Sequence, residues 1–401
     1  MKRFLGVLLA LVLVASFSFM TAVPVAAEPS DVWVDHDFSS STVGWGESCF
    51  ATIQEGVDAV ASGGTVHVAK GTYLEQITIS QTLWLKGEGQ HATVLDYPPT
   101  LGGTEYLILV NAEDVRITGL QLFGHFEPGN RGYYVVYTKN TGLIVEDCAI
   151  LGIIGVFGNL ADGEIRNNHI AAVRKGIYVS GGDNLLVDGN TLEPAVGAGC
   201  SSNCGAIYMD HVTGVTISGN TMKDFSSSGD SSITAGRGIE GSDNSYVTIS
   251  GNTFENIRDA ITMWKVTNVD ITQNYIARSD RYGINIKGQD ISITENTIVD
   301  SGHSGINVAE FDIPTTNVVI NHNNIFANEK FGVVINYDGT NVDDITADAT
   351  NNWWGNPRGP CTPNEERNPA GKCKGKGNAV SLNVEYDPWL RQPVVPAGRG
   401  A

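Results

Sequence analysis

The sequence predicts an all-β chain folded as a parallel β-helix, a single-stranded solenoid of about ten coils with an N-terminal capping helix. Three observations predict it. An eight-residue pattern (apolar, any, apolar, any, any, Asn, any, apolar) recurs through the chain, each copy alternates with period 2, and successive pattern asparagines often stand 22 residues apart. Period-2 alternation makes each copy a strand with one buried face. The spacing is short for a strand plus a returning helix, but it suits three short strands and three turns. One coil alone cannot bury its apolar side, whereas a stack of coils buries one continuous core.

The copies run Leu185/Val187/Asn190/Leu192, Val215/Ile217/Asn220/Met222, Val247/Ile249/Asn252/Phe254, Val269/Ile271/Asn274/Ile276, Ile291/Ile293/Asn296/Ile298 and Val318/Ile320/Asn323/Ile325. Weaker copies hold Ile165/Asn168/Ile170 before them and Ala347/Ala349/Asn352/Trp354 after them, and Leu143/Val145/Cys148/Ile150 has Cys in the Asn position. Each coil carries a second strand signal, such as Gly176-Ile-Tyr-Val, Gly283-Ile-Asn-Ile or Gly305-Ile-Asn-Val. Asparagines stacked at an inward turn can donate to one another and to turn carbonyls that would otherwise be buried unpaired. Their expected role is structural.

The ends follow from the same reading. Lys2 and Arg3, the apolar run Phe4 to Val14 and Val25-Ala26-Ala27 form an export leader, so residues 1–27 are expected to be removed. That run is too short and too soon interrupted to span a membrane. Residues 28–64 are read as a strand and a capping helix, with Phe50, Ile53, Val57 and Val60 on one helical face and Gly63-Gly64 as the stop. The coils occupy 65–355, a hairpin and closing strand 356–390, and a loose tail 391–401. Cys200 and Cys204, like Cys361 and Cys373, are close enough to close small loops, whereas Cys49 and Cys148 have no evident partner. Cys148 falls at an inward position and reads as a buried thiol.

A formal charge of −19 and a pI near 4.7 argue against nucleic acid as a partner. Polyanionic glycans would also be repelled unless a local patch or bound cations reverse the field. A monomer is expected.

The segments Phe50-Ala-Thr-Ile-Gln, Gly71-Thr-Tyr and Leu85-Lys-Gly-Glu-Gly resemble the opening of pectin methylesterase-like β-helix proteins. The repeats resemble the pectate lyase-like superfamily, and Asn351-Asn-Trp-Trp-Gly355 is similar to the ending of many bacterial and archaeal surface β-helix proteins. The resemblance covers nearly all of residues 31–390. It implies a right-handed helix and a leaning toward glycans, in a superfamily that also contains non-enzymes. Val32-Trp33-Val34-Asp35-His36 looks like a pectate lyase signature, but it stands before the capping helix and is read as an N-terminal strand. The arginine-rich motif that should accompany it is absent. So are the aspartate clusters of polygalacturonases and the Asp-Pro-His segment of alginate epimerases.

Stacking permits a search by column. Two positions before each coil's Gly or Ala the chain reads Arg174, Asn203, Gly236, Arg258, Arg281, His303 and Lys330, so the last four form a basic column. Asp259, Asp280 and Glu329 lie beside it and could neutralise it as surface ion pairs. The insertions 193–204 and 223–236 fall at the same corner and are expected to form a wall. Outward positions beside the column read Tyr178, Tyr208, Glu240, Thr262, Asn285 and Asn307, and the next outward row includes Asp210, Trp264 and Lys287. Tyr178, Tyr208, Trp264 and Asn285 can contact sugar rings, and Arg258 and Lys330 can neutralise uronate carboxylates. For β-elimination on a uronic acid, Lys287, Arg281 and His303 are the candidates for base and enolate stabiliser. Asp210 and Glu240 offer oxygen ligands for Ca²⁺, or an acid pair for glycoside hydrolysis. His211 is read as a turn residue.

The leading expectation is an extracellular protein that binds or acts on acidic polysaccharide, with a polyuronide lyase ahead of a glycoside hydrolase. A non-catalytic surface or adhesion module is the alternative. A copper-handling β-helix is a third, disfavoured by scattered His and Met.

Overall fold

The computed structural model describes residues 27–98, 106–124, 133–195, 204–226, 236–310, 314–337, 346–362 and 375–395. Most of the leader, the middle of both insertions, most of the 361–373 segment and the tail from 396 lie outside the described residues.

Every strand pairing among the described residues is parallel, and nearly all strands join one continuous wound sheet. One inward column shows why the coils stack. Val32, Val66, Leu85, Ile117, Val145, Ile165, Val187, Ile217, Ile249, Ile271, Ile293 and Ile320 are successive register partners. All are fully buried. A one-residue slip would turn such a column outward, so the alternation in sequence fixes the register. Parallel crossovers are right-handed because a right-twisted strand packs back on its sheet only that way, and the chain is a right-handed parallel β-helix.

The turn that leaves this strand is held by the asparagines. The backbone N–H of Cys148 donates to Asn168 Oδ1 (3.0 Å), that of Asn168 to Asn190 (2.9 Å), and the chain of bonds continues through Asn220, Asn252, Asn274, Asn296 and Asn323 to Asn352. From Asn168 to Asn323 each Nδ2 donates to the next Oδ1 and to a strand carbonyl of the preceding coil; that of Asn274, for instance, reaches Asn296 Oδ1 (3.0 Å) and Ile249 O (2.8 Å). The residue just before each asparagine has positive φ, whether Gly189, Gln273 (58°), Glu295 (57°) or His322 (58°). That corner forces the following amide inward. Cys148 ends the run, and burial pushes its thiol up to about 12, which leaves it inert.

The N-terminal cap is shorter than expected, a helix at Ile53–Ala59. Thr52 caps it and exchanges a reciprocal contact with Glu55, while Val60 turns back to extended backbone. Phe50 belongs instead to a short strand, Cys49–Phe50, beside Asp31–Val34. Glu75, from the coil beneath, accepts the Ile53 and Gln54 N–H groups (2.9 and 3.0 Å) and seals the helix start. Burial raises the Glu75 pKa, and those two N–H groups oppose the rise.

At the other end Trp354 is fully buried under Gly332, closing the last coil. Two expectations change here. Pro360–Cys361 and Gly377–Ala379 pair in parallel, not as a hairpin. The start of the tail is tied down, because Val394 exchanges two bonds of 2.8 Å with the side chain of Asn324. Cys204 and Cys361 each take part in a disulfide, while Cys49 and Cys148 are free thiols. Among the described residues no helix is long and apolar enough to cross a membrane.

Replacing Asn274 with Ala would leave the Asn252 N–H and the Ile249 carbonyl buried without partners. The expected loss is about 2–4 kcal/mol by denaturant unfolding. Ser292→Ala, on the outer face of the next coil, should change stability by less than about 0.5 kcal/mol.

Candidate functional site

The basic column is one backbone stack. The N–H of Arg258 donates to Gly236 O (2.9 Å), Arg281 to Arg258 O (2.9 Å), His303 to Arg281 O (3.0 Å) and Lys330 to His303 O (2.7 Å). On its N-terminal side Gly236 donates to Cys204 O, so Cys204 holds the place assigned to Asn203. The column is unevenly neutralised. Arg258 Nη1 meets Asp259 Oδ2 at 2.7 Å, and Asp259 is only 2% exposed, so this is a buried pair and not the surface pair expected. Burial pushes the Asp259 pKa up, against the pull of Arg258, Arg281 and Arg237. Arg281 and Lys330 are exposed and form no ion pair among the described residues. Arg281 lies over the Tyr282 ring, 4.6 Å from its centroid.

His303 sits between those two cations. Its Nδ1 lies 2.9 Å from Ser304 Oγ, and its ring meets Tyr282 edge-on at 5.0 Å. Partial burial lowers its pKa below 6.5, and Lys330 and Arg281 lower it further. The imidazole is therefore neutral near pH 7 and able to take a proton.

The outward row beside the column is continuous in register from Tyr137 through Phe157, Tyr178, Tyr208, Glu240, Thr262 and Asn285 to Asn307. Its first half is an aromatic strip. Tyr134 stacks on Phe157 (4.2 Å between centroids), Phe157 meets Tyr178 edge-on (5.0 Å), and Tyr178 meets Tyr208 edge-on (4.7 Å). All four rings are half-buried. Burial, then the carboxylate of Asp210, pushes the Tyr208 phenol up to about 12. Tyr134, Tyr137 and Phe157 escaped the sequence reading because their coils lack the asparagine that set the register.

Where the row passes from Tyr208 to Glu240 it becomes ionic. Lys175 Nζ reaches Glu240 Oε2 at 2.8 Å, and Arg237 bonds the other carboxylate oxygen. Lys175 and Glu240 are 4% and 6% exposed, so each needs the other. Burial lowers the Lys175 pKa, with Glu240 opposing. The Lys175 side chain crosses the intervening coil at Gly205, where an added Cβ would lie 3.1 Å from Nζ. Arg237 also packs 5.0 Å from the centroid of Trp264. Asn307 Nδ2 donates to Asn285 Oδ1 at 2.8 Å, while Thr262 Oγ1 and Asn307 Oδ1 are buried with no partner among the described residues.

Three assignments change. Glu240 is held by two cations, so it is neither a calcium ligand nor half of an acid pair with Asp210. Asp210 instead lies near His211 and Asp243, whose ligand atoms all fall within 4.8 Å of one another. An imidazole with two carboxylates fits calcium poorly, since calcium takes six to eight oxygen ligands. Lys287 is buried within the strand Tyr282–Thr294, six residues beyond Arg281, which precedes that strand, and roughly 15–20 Å away along extended backbone. It therefore does not share a reacting atom with Arg281 and His303.

Removing Glu240 alone (Glu240→Ala) would strand the Lys175 charge, at an expected cost of about 3–5 kcal/mol. The double variant Lys175→Met/Glu240→Leu should recover most of that loss in the same denaturation assay. The His303 pKa, followed by NMR, should fall below 6.5. Because the unfolded chain then binds the proton more readily, His303 should withdraw stability as the pH drops below about 6.5.

Residues 200–347 match the family described as the right handed beta helix region. No curated protein matches the chain. Among solved structures, the Dettilon tailspike protein is similar with a TM-score of 0.59 at 13% identity, over 88% of this chain and 67% of that one. The catalytic domain of a GH87 alpha-1,3-glucanase gives 0.52 at 12% identity, over 89% and 68%. At such identities the likeness concerns the fold, and it agrees with the register, the turns and the matched region that this chain is a right-handed parallel β-helix.

Proposed function

We propose that this chain is an extracellular β-helix that binds and acts on acidic polysaccharide. The glycan would lie along the strip from Tyr134 to Tyr208 and run onto Arg281 and Lys330. The observation that carries this reading is a strip of half-buried aromatic rings followed, three coils further along the same side of the helix, by two exposed cations that form no ion pair among the described residues. Sugar rings stack on aromatic faces, and uronate carboxylates supply the anions that the cations lack. In a protein of charge −19, a local cationic corner also sets where a polyanion can approach. The leader-like N-terminus and the disulfide-bonded Cys204 and Cys361 support an oxidising, extracellular location.

The finer reading is a polyuronide lyase. His303 takes the proton alpha to the uronate carboxylate, while Arg281 and Lys330 hold the carboxylate and the enolate that forms. The electron pair closes a carbon–carbon double bond, and the glycosidic oxygen leaves with a proton from water. A non-catalytic surface module remains the second reading. It is favoured by the amount of charge consumed internally, in Lys175–Glu240–Arg237 and Arg258–Asp259.

Purified protein should be assayed on pectate, alginate, glycosaminoglycans and neutral glycans, with calcium and with chelator. The expected result is rising ultraviolet absorbance from unsaturated uronate on one polyuronide. His303→Ala should abolish product while keeping binding. Arg281→Ala/Lys330→Ala should weaken binding about tenfold and flatten its salt dependence. Binding without product on any substrate would establish the surface module. Unchanged binding in the double variant would remove both readings of this corner.

A further inference from the structure

The N-terminal strand Asp31–Val34 carries a segment that the site above does not use. Trp33 is 47% exposed and lies parallel to His67, its register partner, with ring centroids 5.4 Å apart. Lys86 follows His67 in the same column. These residues open onto a cavity of about 280 Å³, lined also by Val34, Asp35, Phe38 and Glu88. The cavity is set between the segment after the first strand and the first two coils, far in sequence from Arg281 and Lys330.

We propose that this cavity is a second sugar site that takes one neutral pyranose ring. The inference does not rest on the glycan reading of the basic corner. Three features argue for it. A half-exposed indole beside Phe38 offers the apolar contact that the C–H face of a pyranose seeks. Asp35 and Glu88 can accept charge-assisted hydrogen bonds from sugar hydroxyls, and Lys86, which has no carboxylate partner among the described residues, can donate one. The volume suits a single ring, being below the range of larger ligand pockets. The neutral class follows from charge. His67 is engaged by Asp31 at 3.0 Å, so Lys86 faces two lining carboxylates, and an anionic sugar would meet net repulsion.

The wall is rigid where it needs to be. Trp84 lies between Lys86 and Arg116, whose charged ends stand 4.7 and 4.6 Å from its ring centroid. Trp84 Nε1 donates to Thr118 Oγ1 at 2.8 Å, and Arg116 is tied to Glu146 at 2.6 Å. The Lys86 ammonium is therefore held over the Trp84 ring at the edge of the cavity, with its N–H groups still able to donate.

The test is a tryptophan fluorescence titration of the whole protein with methyl glucoside, galactoside and mannoside, and with glucuronate and galacturonate. Saturable change with at least one neutral glycoside is expected, with Kd on the order of millimolar. Trp33→Ala and Lys86→Ala should each weaken it by more than tenfold, read by calorimetry where the fluorophore is lost. Arg281→Ala/Lys330→Ala should leave it unchanged. Because Trp33 points outward, its variant should keep the unfolding midpoint, and Asp35→Asn gives an independent check that binding falls. No saturation with any neutral glycoside, binding that survives Trp33→Ala, or binding of uronates alone would overturn the proposal.

Discussion

The constraint on which the structure depends is that a buried turn must not leave its backbone groups unpaired. Each coil from Asn168 to Asn352 turns inward with an asparagine at the corner, and that side chain supplies one acceptor and two donors where water cannot reach. The acceptor takes the N–H of the coil before, as Asn274 does for Asn252, and the donors reach on to Asn296 and back to Ile249. A bond that runs from coil to coil also sets the register, since a neighbour shifted by one residue would find no amide. The apolar columns and the outward columns inherit that register.

From this follows the way the candidate site is made. Residues 22 to 32 apart in sequence become contacts, so a row such as Tyr178, Tyr208, Glu240 and Thr262 is a surface feature and never a sequence motif. The scaffold also permits side chains to skip a coil. Lys175 reaches Glu240 because Gly205 between them presents no Cβ. A buried pair of that kind is poor evidence for stability gained, because desolvation offsets the attraction. What it does provide is a fixed charge arrangement beneath the aromatic strip, with Arg237 passing from Glu240 to the face of Trp264.

Legibility followed the same division. The alternation and the asparagine spacing made the inward face readable, because burial leaves few residue types at those positions. The basic column was also readable, since its members are fixed by their distance from each coil's Gly or Ala. What the sequence hid was the partner of each outward side chain. Asp259 was expected to lie at the surface and instead is buried against Arg258, and Glu240 was expected to be open and instead is held by Lys175 and Arg237. Outward residues obey no pattern, and their pairing depends on side-chain reach across one coil or two. Lys287 shows the limit in another direction: it belongs to the expected outer row, but distance along the strand keeps it from His303.

The distribution of charge decides between a stabilising network and a binding surface. Cations that serve the fold find carboxylates and become buried, as Lys175 and Arg258 do. Arg281 and Lys330 flank His303 in the same column, yet they stay exposed and form no ion pair among the described residues, although Asp259 feels Arg281 and Glu329 acts on His303. In a chain with 44 acidic and 25 basic residues, carboxylates were available in the sequence to neutralise them. Two cations held at a neighbouring imidazole also depress its proton affinity, which costs stability in acid and keeps the ring neutral at physiological pH. Water solvates these exposed cations, so the fold has no need of a partner for them and they stay open to an anion from outside the chain.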